Sequence, residues 1–369
     1  MKLMKTTEAV GQVLCHDITQ IIPGVKKDAV FRKGHIITKE DIPVLLSVGK
    51  DTIYIWENDE TMMHENEAAE VLYRMSACGT NSNESDAKCH CDTTESAILG
   101  GAVSKMHPSP VREGKIEVIA DCDGLLKVDS EKLKKVNSFG EMMIATRHGN
   151  TTVKKGDKLA GTRIIPLVIK KDKLEAASHI CDDGPILDIK PFVVRKAAII
   201  TTGNEVYHGR IQDAFTPVIE KKIAEFGAQM MFHEVFDDDD KKITDGCLRA
   251  IEAGAEIVFC TGGMSVDPDD KTPLAIKNTG ARIVSYGSPV LPGAMFLLSY
   301  YDAGDRLVPI CGLPGCAMYN KRTIFDIVLP RLMARDMILA DELAGLGEGG
   351  LCLNCDVCTF PNCGFGKGF

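Results

Sequence analysis

The sequence predicts an α/β protein in which a parallel, doubly wound sheet follows a smaller N-terminal α/β unit and a β-rich domain. From Val193 onward, buried strands alternate with helices, which is typical of βαβ units with both sheet faces covered. Residues 104–192 hold short Val/Ile-rich runs separated by Gly-Asp or Asn turns. Residues 31–56 show the pattern of a strand, a capped helix, a glycine stop and a second strand.

Composition bounds the class of protein. The chain has 369 residues, of which 44% are hydrophobic, and carries a net charge of -9. Its length suggests two or three domains. No apolar run approaches the ~20 residues of a membrane span, and the first residues lack a signal peptide, so we expect a cytoplasmic protein without a membrane partner. The absence of a long basic block argues against a nucleic-acid partner.

The first half of the chain predicts three segments. Residues 1–56 form the small α/β unit, and residues 96–192 form the β-rich domain. Residues 57–95 between them are polar and poor in β-branched residues, which predicts an insertion or a flexible loop. Cys78, Cys89, His90 and Cys91 fall in this segment and are metal-ligand types, although their surroundings do not predict a rigid site. The role of these cysteines stays open.

Residues 193–340 predict the main α/β domain. Strands are expected at "VVRKAAIITTG", "AQMMFHEV", "EIVFCTGG", "ARIVSYG", "MFLLSYY" and "RLVPICG". Helices are expected over 213–227 and 239–254, from Thr272, and as one long helix over 317–337.

Three glycine loops follow strands of this domain, at 202–205, 261–265 and 312–315. Ligands of doubly wound sheets bind beyond the carboxyl ends of the strands, so all three loops should lie on one edge. Glycine lets backbone N–H groups approach an anion, and nearby acids would then need a cation. Glu205, Asp267, Asp269 and Asp270 therefore suggest Mg²⁺. Any one of these loops is more typical of a strand-to-helix turn with Asp as a cap, whereas three loops on one edge, with acids on two of them, favour a site.

Four ordered motifs in this domain resemble a known family. "TTGNEV", "TGGMSVDPDDKTP", "SPVLPGAMF" and "GLPGCAMY" resemble the molybdopterin-binding domain shared by the molybdopterin molybdotransferases and smaller adenylyltransferases of the same pathway. The resemblance covers roughly residues 193–335. The chain departs from the molybdotransferases at Asn204, where they usually have an acid, and at Cys316-Ala317, where they have Asn-Pro.

The resemblance implies site residues and ligands. Glu205, Asp269 and Asp270 would have the catalytic role and hold Mg²⁺, and Asp238 is a minor further candidate. Molybdopterin or its adenylylated form and molybdate would be the ligands, and we expect a homodimer, which is common in the family. The residues implied to bind molybdopterin are Gly203, Thr261, Gly262, Gly263, Ser265, Lys271, Pro292, Gly293, Gly312, Leu313, Pro314 and Gly315.

The C-terminal segment 345–369 is rich in glycine and cysteine. "CLNCDVCTFPNC" places Cys352, Cys355, Cys358 and Cys363 within twelve residues. The first three cysteines have the spacing of a 4Fe–4S run, the fourth does not, and Cys₄ zinc is the alternative. Because the segment has no hydrophobic period, we expect it to be a metal-binding tail that the fold does not need.

These observations support two main hypotheses and a weaker third. The first is an enzyme that acts in Mg²⁺-dependent molybdate insertion into adenylylated molybdopterin. The second is a carrier that delivers the cofactor to an apo-molybdoenzyme through its cysteine tail. The third follows from "DPDDKTP", which also resembles nucleotide-hydrolysing relatives, and is a nucleotide pyrophosphatase.

Overall fold

The computed structural model describes residues 2–22, 26–55, 59–79, 105–265, 267 and 270–368. The chain divides into two compact units. Unit 1 comprises residues 1–121, 128–147 and 156–188, and unit 2 comprises residues 122–127, 148–155 and 189–369. In the described part, no helix is both long and apolar enough to cross a membrane.

The first half of the chain is made mainly of short antiparallel strands with four helices. In chain order these are β1 (Lys2–Lys5), β2 (Ile18–Ile22), β3 (Lys26–Phe31), α1 (Asp41–Ser47), β4 (Thr52–Ile55), β5 (Met62–His64), α2 (Glu65–Ala77), β6 (Met106–Pro108), β7 (Lys115–Ala120), β8 (Gly124–Val128), α3 (Ser130–Asn137), β9 (Met142–Thr146), β10 (Thr151–Val153), β11 (Lys158–Ile164), β12 (Val168–Lys170), α4 (Lys171–Ser178) and β13 (Leu187–Lys190).

The second half alternates strands and helices. It contains β14 (Lys196–Thr202), α5 (Asn204–Tyr207), α6 (Phe215–Ala224), β15 (Gln229–Phe236), α7 (Asp240–Glu252), β16 (Ile257–Thr261), α8 (Thr272–Asn278), β17 (Arg282–Tyr286), β18 (Leu297–Asp302), β19 (Leu307–Leu313), α9 (Cys316–Tyr319), α10 (Ile324–Met333) and α11 (Ala340–Gly345).

Unit 1 is built on small antiparallel sheets. β6, β7, β11 and β9 form a four-stranded sheet in that order, while β1 pairs with β4, β2 with β3, and β5 with β12. Helix α2 packs against β7 and β11 of the four-stranded sheet. The prediction of a strand-rich region after residue 104 agrees with these strands.

Helix α2 corrects the prediction of an insertion or loop at 57–95. Ala68, Ala69, Leu72 and Met75 are completely buried on one face of this helix, and His64 caps its first turn by accepting a hydrogen bond from the Asn66 N–H. The many polar residues of the segment obscured this apolar stripe. Most of the remainder, including Cys89 and Cys91, lies outside the described residues.

Unit 2 contains a six-stranded sheet in the order β15-β14-β16-β19-β18-β17. The first four strands run parallel, as predicted. β18 pairs antiparallel with both β19 and β17, so β18 alone runs in the opposite direction. Only a four-residue turn joins β18 to β19, which is too short for the crossover that a parallel pair requires. In the same unit, β8 pairs with β10.

Both faces of the six-stranded sheet are covered. Along β14, Ala197 and Ile199 belong to one apolar cluster, with α6 and α10, while Ala198 and Ile200 belong to the other, with α7 and α8. This alternation follows from the two-residue period of a strand. The fold is therefore the predicted α/β arrangement with a sheet buried on both sides.

The predicted single helix over 317–337 is instead two helices, α9 and α10. The Thr323 hydroxyl accepts a hydrogen bond from the Phe325 N–H, and the Asp326 carboxylate accepts one from the Thr323 N–H. This reciprocal capping box starts a new helix at Ile324, so the chain cannot continue one helix through Thr323.

Candidate functional site

The strand register brings the predicted glycine loops together at one edge of the unit 2 sheet. Thr202 of β14 pairs with Phe236 of β15, Thr201 pairs with Thr261 of β16, and Thr261 pairs with Leu313 of β19. The next residues of the chain therefore leave the sheet at the same level. The prediction that the loops lie on one edge is confirmed.

A cavity of about 590 Å³ opens at this edge. It lies between the loops that follow β16 and β19 and the segment around Pro292. Its volume, that of an open cleft, would hold a small molecule of the size that fills sites of about 300–1,000 Å³. The predicted residues that line it are Gly262, Gly263, Ser265, Asp270, Pro292, Gly293, Leu313, Pro314 and Gly315.

A second cavity, of about 610 Å³, shares Gly262, Gly263, Phe215 and Asp270 with the first. It is the more acidic of the two and includes Gly203 of the predicted set. Five carboxylates line it, namely Glu205, Asp213, Asp238, Asp267 and Asp270.

Some predicted residues lie elsewhere. Thr261 and Gly312 end or lie in buried strands and line neither cavity, and Lys271 precedes α8 as its N-cap residue, also outside the cavity walls. Asp269 lies outside the described residues. Asp238, the minor candidate, accepts a hydrogen bond of 3.2 Å from the Asn204 N–H and so holds the β14 loop at the cavity.

The glycines of the β16 loop have a structural cause that the sequence did not predict. Gly262 and Gly263 have φ angles of +82° and +54°. A Cβ on Gly262 would overlap the Thr202 carbonyl oxygen, and one on Gly263 would lie 2.8 Å from the Thr272 hydroxyl oxygen. The loop after β16 therefore needs glycine in order to pack against the end of β14, whether or not a phosphate binds there.

Gly315 differs from these two glycines. Its φ and ψ angles of -50° and -31° are open to any residue, and an added Cβ would meet no atom within 4 Å. Gly315 lines the first cavity. Nothing in the packing of the described residues requires glycine here, so a larger side chain would occupy open space at the cavity wall.

Sequence reasoning missed a hydrogen-bonded group at the floor of the acidic cavity. The Asp213 carboxylate accepts hydrogen bonds from the Thr201 hydroxyl at 2.8 Å and the Thr216 hydroxyl at 2.6 Å, and His233 Nε2 lies 3.1 Å from the Thr201 hydroxyl. Burial raises the pKa of Asp213, but these bonds and the Phe215 N–H outweigh it, so the pKa lies below its usual value. The position of Asp213 just before a helix was the available signal.

The apolar wall of the first cavity was also missed. Phe215, Leu291, Met295 and Tyr319 line it, and Leu291 and Tyr319 are 56% and 73% exposed. Large apolar side chains left exposed around a cavity mark a ligand site more clearly than isolated exposed residues do. Their sequence positions, in loops of mixed composition, carry no periodic signal.

Metal binding was predicted at the acidic edge and at the tail. Carboxylate oxygens are the ligand type that Mg²⁺ prefers. Among the described residues, however, no three His, Cys, Asp or Glu side chains are placed to hold a metal ion together. This applies to the acids at the cavity and to Cys352, Cys355, Cys358 and Cys363. Magnesium at the cavity and a metal at the C-terminal cysteines stay predictions. Elemental analysis of the purified protein tests the second.

The C-terminal segment packs on unit 2. Leu291, on the wall of the first cavity, donates a backbone hydrogen bond to the Gly350 carbonyl and accepts one from the Cys352 N–H, each of 2.8 Å. Phe365 is 5% exposed within the apolar cluster that contains α10, and Cys363 packs against the same cluster. The segment therefore packs on unit 2 and is not a separate tail, because apolar side chains too few to form a period are nonetheless buried. That the fold does not need it stays a prediction.

Comparison with known proteins places the same region in a family. Residues 198–334 match the family model described as the probable molybdopterin binding domain. Residues 3–57 match a separate model, described as a domain of unknown function. The molybdopterin binding domain therefore covers the six-stranded sheet of unit 2 from β14 to α10, with both cavities.

Individual relatives match over shorter stretches. A competence-damage inducible protein of Bacillus velezensis is 29% identical over 90 residues, 24% of this chain and 21% of the relative. One from Bacillus cereus is 32% identical over 129 residues, 35% of this chain and 30% of the relative. The matches thus span about a fifth to a third of these relatives.

Among solved structures, the tungsten cofactor synthesizing protein MoaB from Pyrococcus furiosus is similar at 18% identity, covering 38% of this chain and 89% of that chain with a TM-score of 0.30.

Proposed function

We propose that the chain binds molybdopterin or its adenylylated form at the carboxyl edge of the unit 2 sheet and acts in molybdenum cofactor biosynthesis by Mg²⁺-dependent molybdate insertion. The observation that carries the proposal is the coincidence of the family match with the cavities. The matched residues 198–334 include the β14, β16 and β19 loops that form the cavity walls.

The two cavities suit the two ends of such a ligand. The first has an apolar wall of Phe215, Leu291, Met295 and Tyr319, against which a flat heterocycle gains by burial. The second, joined to it at Gly262 and Gly263, is polar and lined by carboxylates. An anionic phosphate beside these carboxylates requires a neutralising cation, and Mg²⁺ bound with the substrate would supply it.

The residues of this chain would act mainly by positioning. Asp213 is fixed by four hydrogen bonds, from the Thr201 and Thr216 hydroxyls and from the Phe215 and Thr216 N–H groups. It therefore holds the start of α6, and with it the Phe215 side chain shared by both cavities. Carboxylates fixed in advance beside a reacting phosphate would favour the transition state only by holding a cation against it, without reorganisation at that moment.

Incubation with adenylylated molybdopterin, Mg²⁺ and molybdate tests the proposal. Release of AMP together with molybdenum bound to the pterin is the expected result, and omission of Mg²⁺ should prevent it. Tight binding without AMP release would show a carrier instead of an insertion enzyme. Release of AMP from adenylylated molybdopterin and from unrelated dinucleotides alike would show a nucleotide pyrophosphatase. A protein that neither binds nor cleaves the compound would contradict the proposal.

A further inference from the structure

Unit 1 contains a separate cavity of about 510 Å³. Four segments meet around it: the entry to β2, the end of β3, the first residues of α2 and the turn before β7. It lies outside the residues that match the molybdopterin binding domain. Its volume is again that of a small-molecule site.

Hydrogen bonds hold these segments in fixed positions. His64 Nε2 donates to the Cys15 carbonyl at 3.1 Å, and His64 Nδ1 accepts from the Asn66 N–H at 3.2 Å. The Asn66 side chain accepts from the Gly114 N–H at 2.9 Å. Both nitrogens of His64 are thus in use, so this residue shapes the floor of the cavity and leaves recognition to its neighbours. The cavity is pre-formed, which lowers the cost of binding.

Two polar groups at the floor lack partners. His16 Nδ1 is buried and has no hydrogen-bond partner in the described structure. The half-buried Glu65 carboxyl forms no hydrogen bond or ion pair with any described residue. Burial is the main cause that raises the pKa of Glu65. An unpaired buried polar group costs roughly 1–3 kcal/mol. The Glu65 carboxyl is therefore available to a ligand, and His16 Nδ1 becomes available when its ring turns toward the cavity, which would relieve that cost.

Two guanidinium groups at the rim of the cavity also lack partners among the described residues. Arg32 and Arg112 are exposed, and neither guanidinium bonds to or pairs with a described residue. The acids beside them are occupied: Asp17 accepts from the Lys33 N–H at 2.7 Å, and Glu113 accepts from the Thr19 hydroxyl at 3.4 Å. Free guanidinium groups favour a phosphate or carboxylate, which they bind with paired hydrogen bonds.

We propose that this cavity binds a phosphate that carries a 2-amino-4-oxopyrimidine ring, the shared chemistry of pterin and guanine phosphates. Such a ring presents a carbonyl oxygen next to two N–H donors. The Glu65 carboxylate can accept from both donors, and His16 can donate to the carbonyl through Nδ1, in the tautomer that protonates this atom. The phosphate reaches Arg32 and Arg112 at the rim. This inference goes beyond the proposed function and does not depend on it, because every residue that carries it lies in unit 1.

Calorimetric titration of the full chain tests the proposal with four probes: neopterin monophosphate, guanosine monophosphate, adenosine monophosphate and inorganic phosphate. Neopterin monophosphate and guanosine monophosphate should bind. The one with the higher affinity shows whether the natural ligand is a pterin or a guanine phosphate. Adenosine monophosphate has the phosphate but presents the wrong ring edge, so it should bind at least about tenfold more weakly. Inorganic phosphate alone should bind more weakly still, because it does not reach the floor.

Variants separate the two ends of the ligand. Glu65→Gln should abolish the preference for neopterin and guanosine monophosphates over adenosine monophosphate, because the amide NH₂ is a donor and cannot accept a hydrogen bond from a ring N–H. The double variant Arg32→Gln with Arg112→Gln should weaken all phosphates by at least about tenfold. Lys39→Gln removes one positive charge from an exposed residue outside the cavity and should bind as the wild type does.

The proposal is overturned if neither ring phosphate binds, if adenosine monophosphate binds equally well, or if the double arginine variant binds like the wild type. In Gly315→Val, which changes the unit 2 cavity, the binding that the unit 1 variants remove should persist. Binding that disappears in Gly315→Val but survives in the unit 1 variants would assign the probes to the unit 2 cavity and would also overturn the inference. Circular dichroism of each variant confirms that the fold is intact.

Discussion

At the scale of single residues, the glycines of unit 2 show how a motif can serve packing and ligand binding together. Gly262 and Gly263 are required by the close approach of Thr202 and Thr272, while Gly315 faces open space. The sequence predicts that these loops need glycine, and it is right. It cannot predict which glycine meets a neighbour, because that neighbour is about sixty residues away along the chain in the case of Thr202.

Gly262→Ala is expected to destabilise unit 2 without any ligand present. The φ angle of +82° costs an L-residue roughly 1–2 kcal/mol, and overlap with the Thr202 carbonyl adds to this. We therefore expect a loss of at least about 2 kcal/mol, measured by hydrogen exchange of the β16 amides. The same change at Gly364, where φ is ordinary and no atom lies within 4 Å, is the control. Equal stability of the two variants would show that the loop can move aside.

At the scale of elements, the strongly periodic segments were predictable and the sparse ones were not. Helices α7 and α8 begin close to the predicted residues because an acidic cap and a Thr-Pro start are local signals. Helix α2 and the C-terminal segment were predicted as loop and tail because their apolar residues are few among polar ones. Their burial depends on partners elsewhere in the chain, which no local pattern contains.

The C-terminal segment is expected to stabilise unit 2 through Phe365. This side chain is buried against the cluster around α10, so Phe365→Ala should cost about 3–5 kcal/mol. Removal of residues from Gly349 onward should cost at least as much, because the backbone bonds to Leu291 are lost too. Hydrogen exchange of α10 measures both effects, and Leu353→Ala, at a side chain that is 78% exposed, should change little. Unchanged protection of α10 in Phe365→Ala would show that the C-terminal segment does not stabilise unit 2.

At the scale of the whole molecule, the fold class was predictable because each strand and helix has its own local hydrophobic pattern, and these patterns alternate along the chain. The cavity of unit 1 was not, since its floor combines residues from four segments that are polar and unremarkable in sequence. Long-range charge pairing in unit 2 was equally hidden. Asp336 forms ion pairs with Lys127 at 2.8 Å, Lys190 at 2.6 Å and Arg331 at 2.6 Å.

This charge cluster predicts how the stability of unit 2 depends on pH. Burial alone would raise the pKa of Asp336, but the three cations outweigh it and lower the pKa to about 2. An unfolded Asp has a pKa of about 3.9, so the carboxylate contributes about 2.5 kcal/mol that is fully present above about pH 5. The contribution is lost as pH falls through 4 toward 2.

Asp336→Asn should therefore destabilise unit 2 by roughly 3 kcal/mol at pH 7, because Lys127, Lys190 and the buried Arg331 lose the carboxylate that they share. The difference from the wild type should shrink by pH 3, where part of the wild-type advantage has already gone. Hydrogen exchange of α10 at the two pH values measures it. A difference that is the same at both would mean that the cluster contributes through packing instead of charge.

The central claim is that the edge of the unit 2 sheet binds a molybdopterin-type ligand, and calorimetric titration of molybdopterin into three proteins tests it most directly. The wild type should bind, and Gly315→Val should bind at least about tenfold more weakly at unchanged stability, because its side chain enters the cavity without touching the protein. Gly364→Val, equally unstrained but outside the cavity, should bind like the wild type. Wild-type affinity in Gly315→Val, or a wild-type protein that does not bind molybdopterin, would contradict the account.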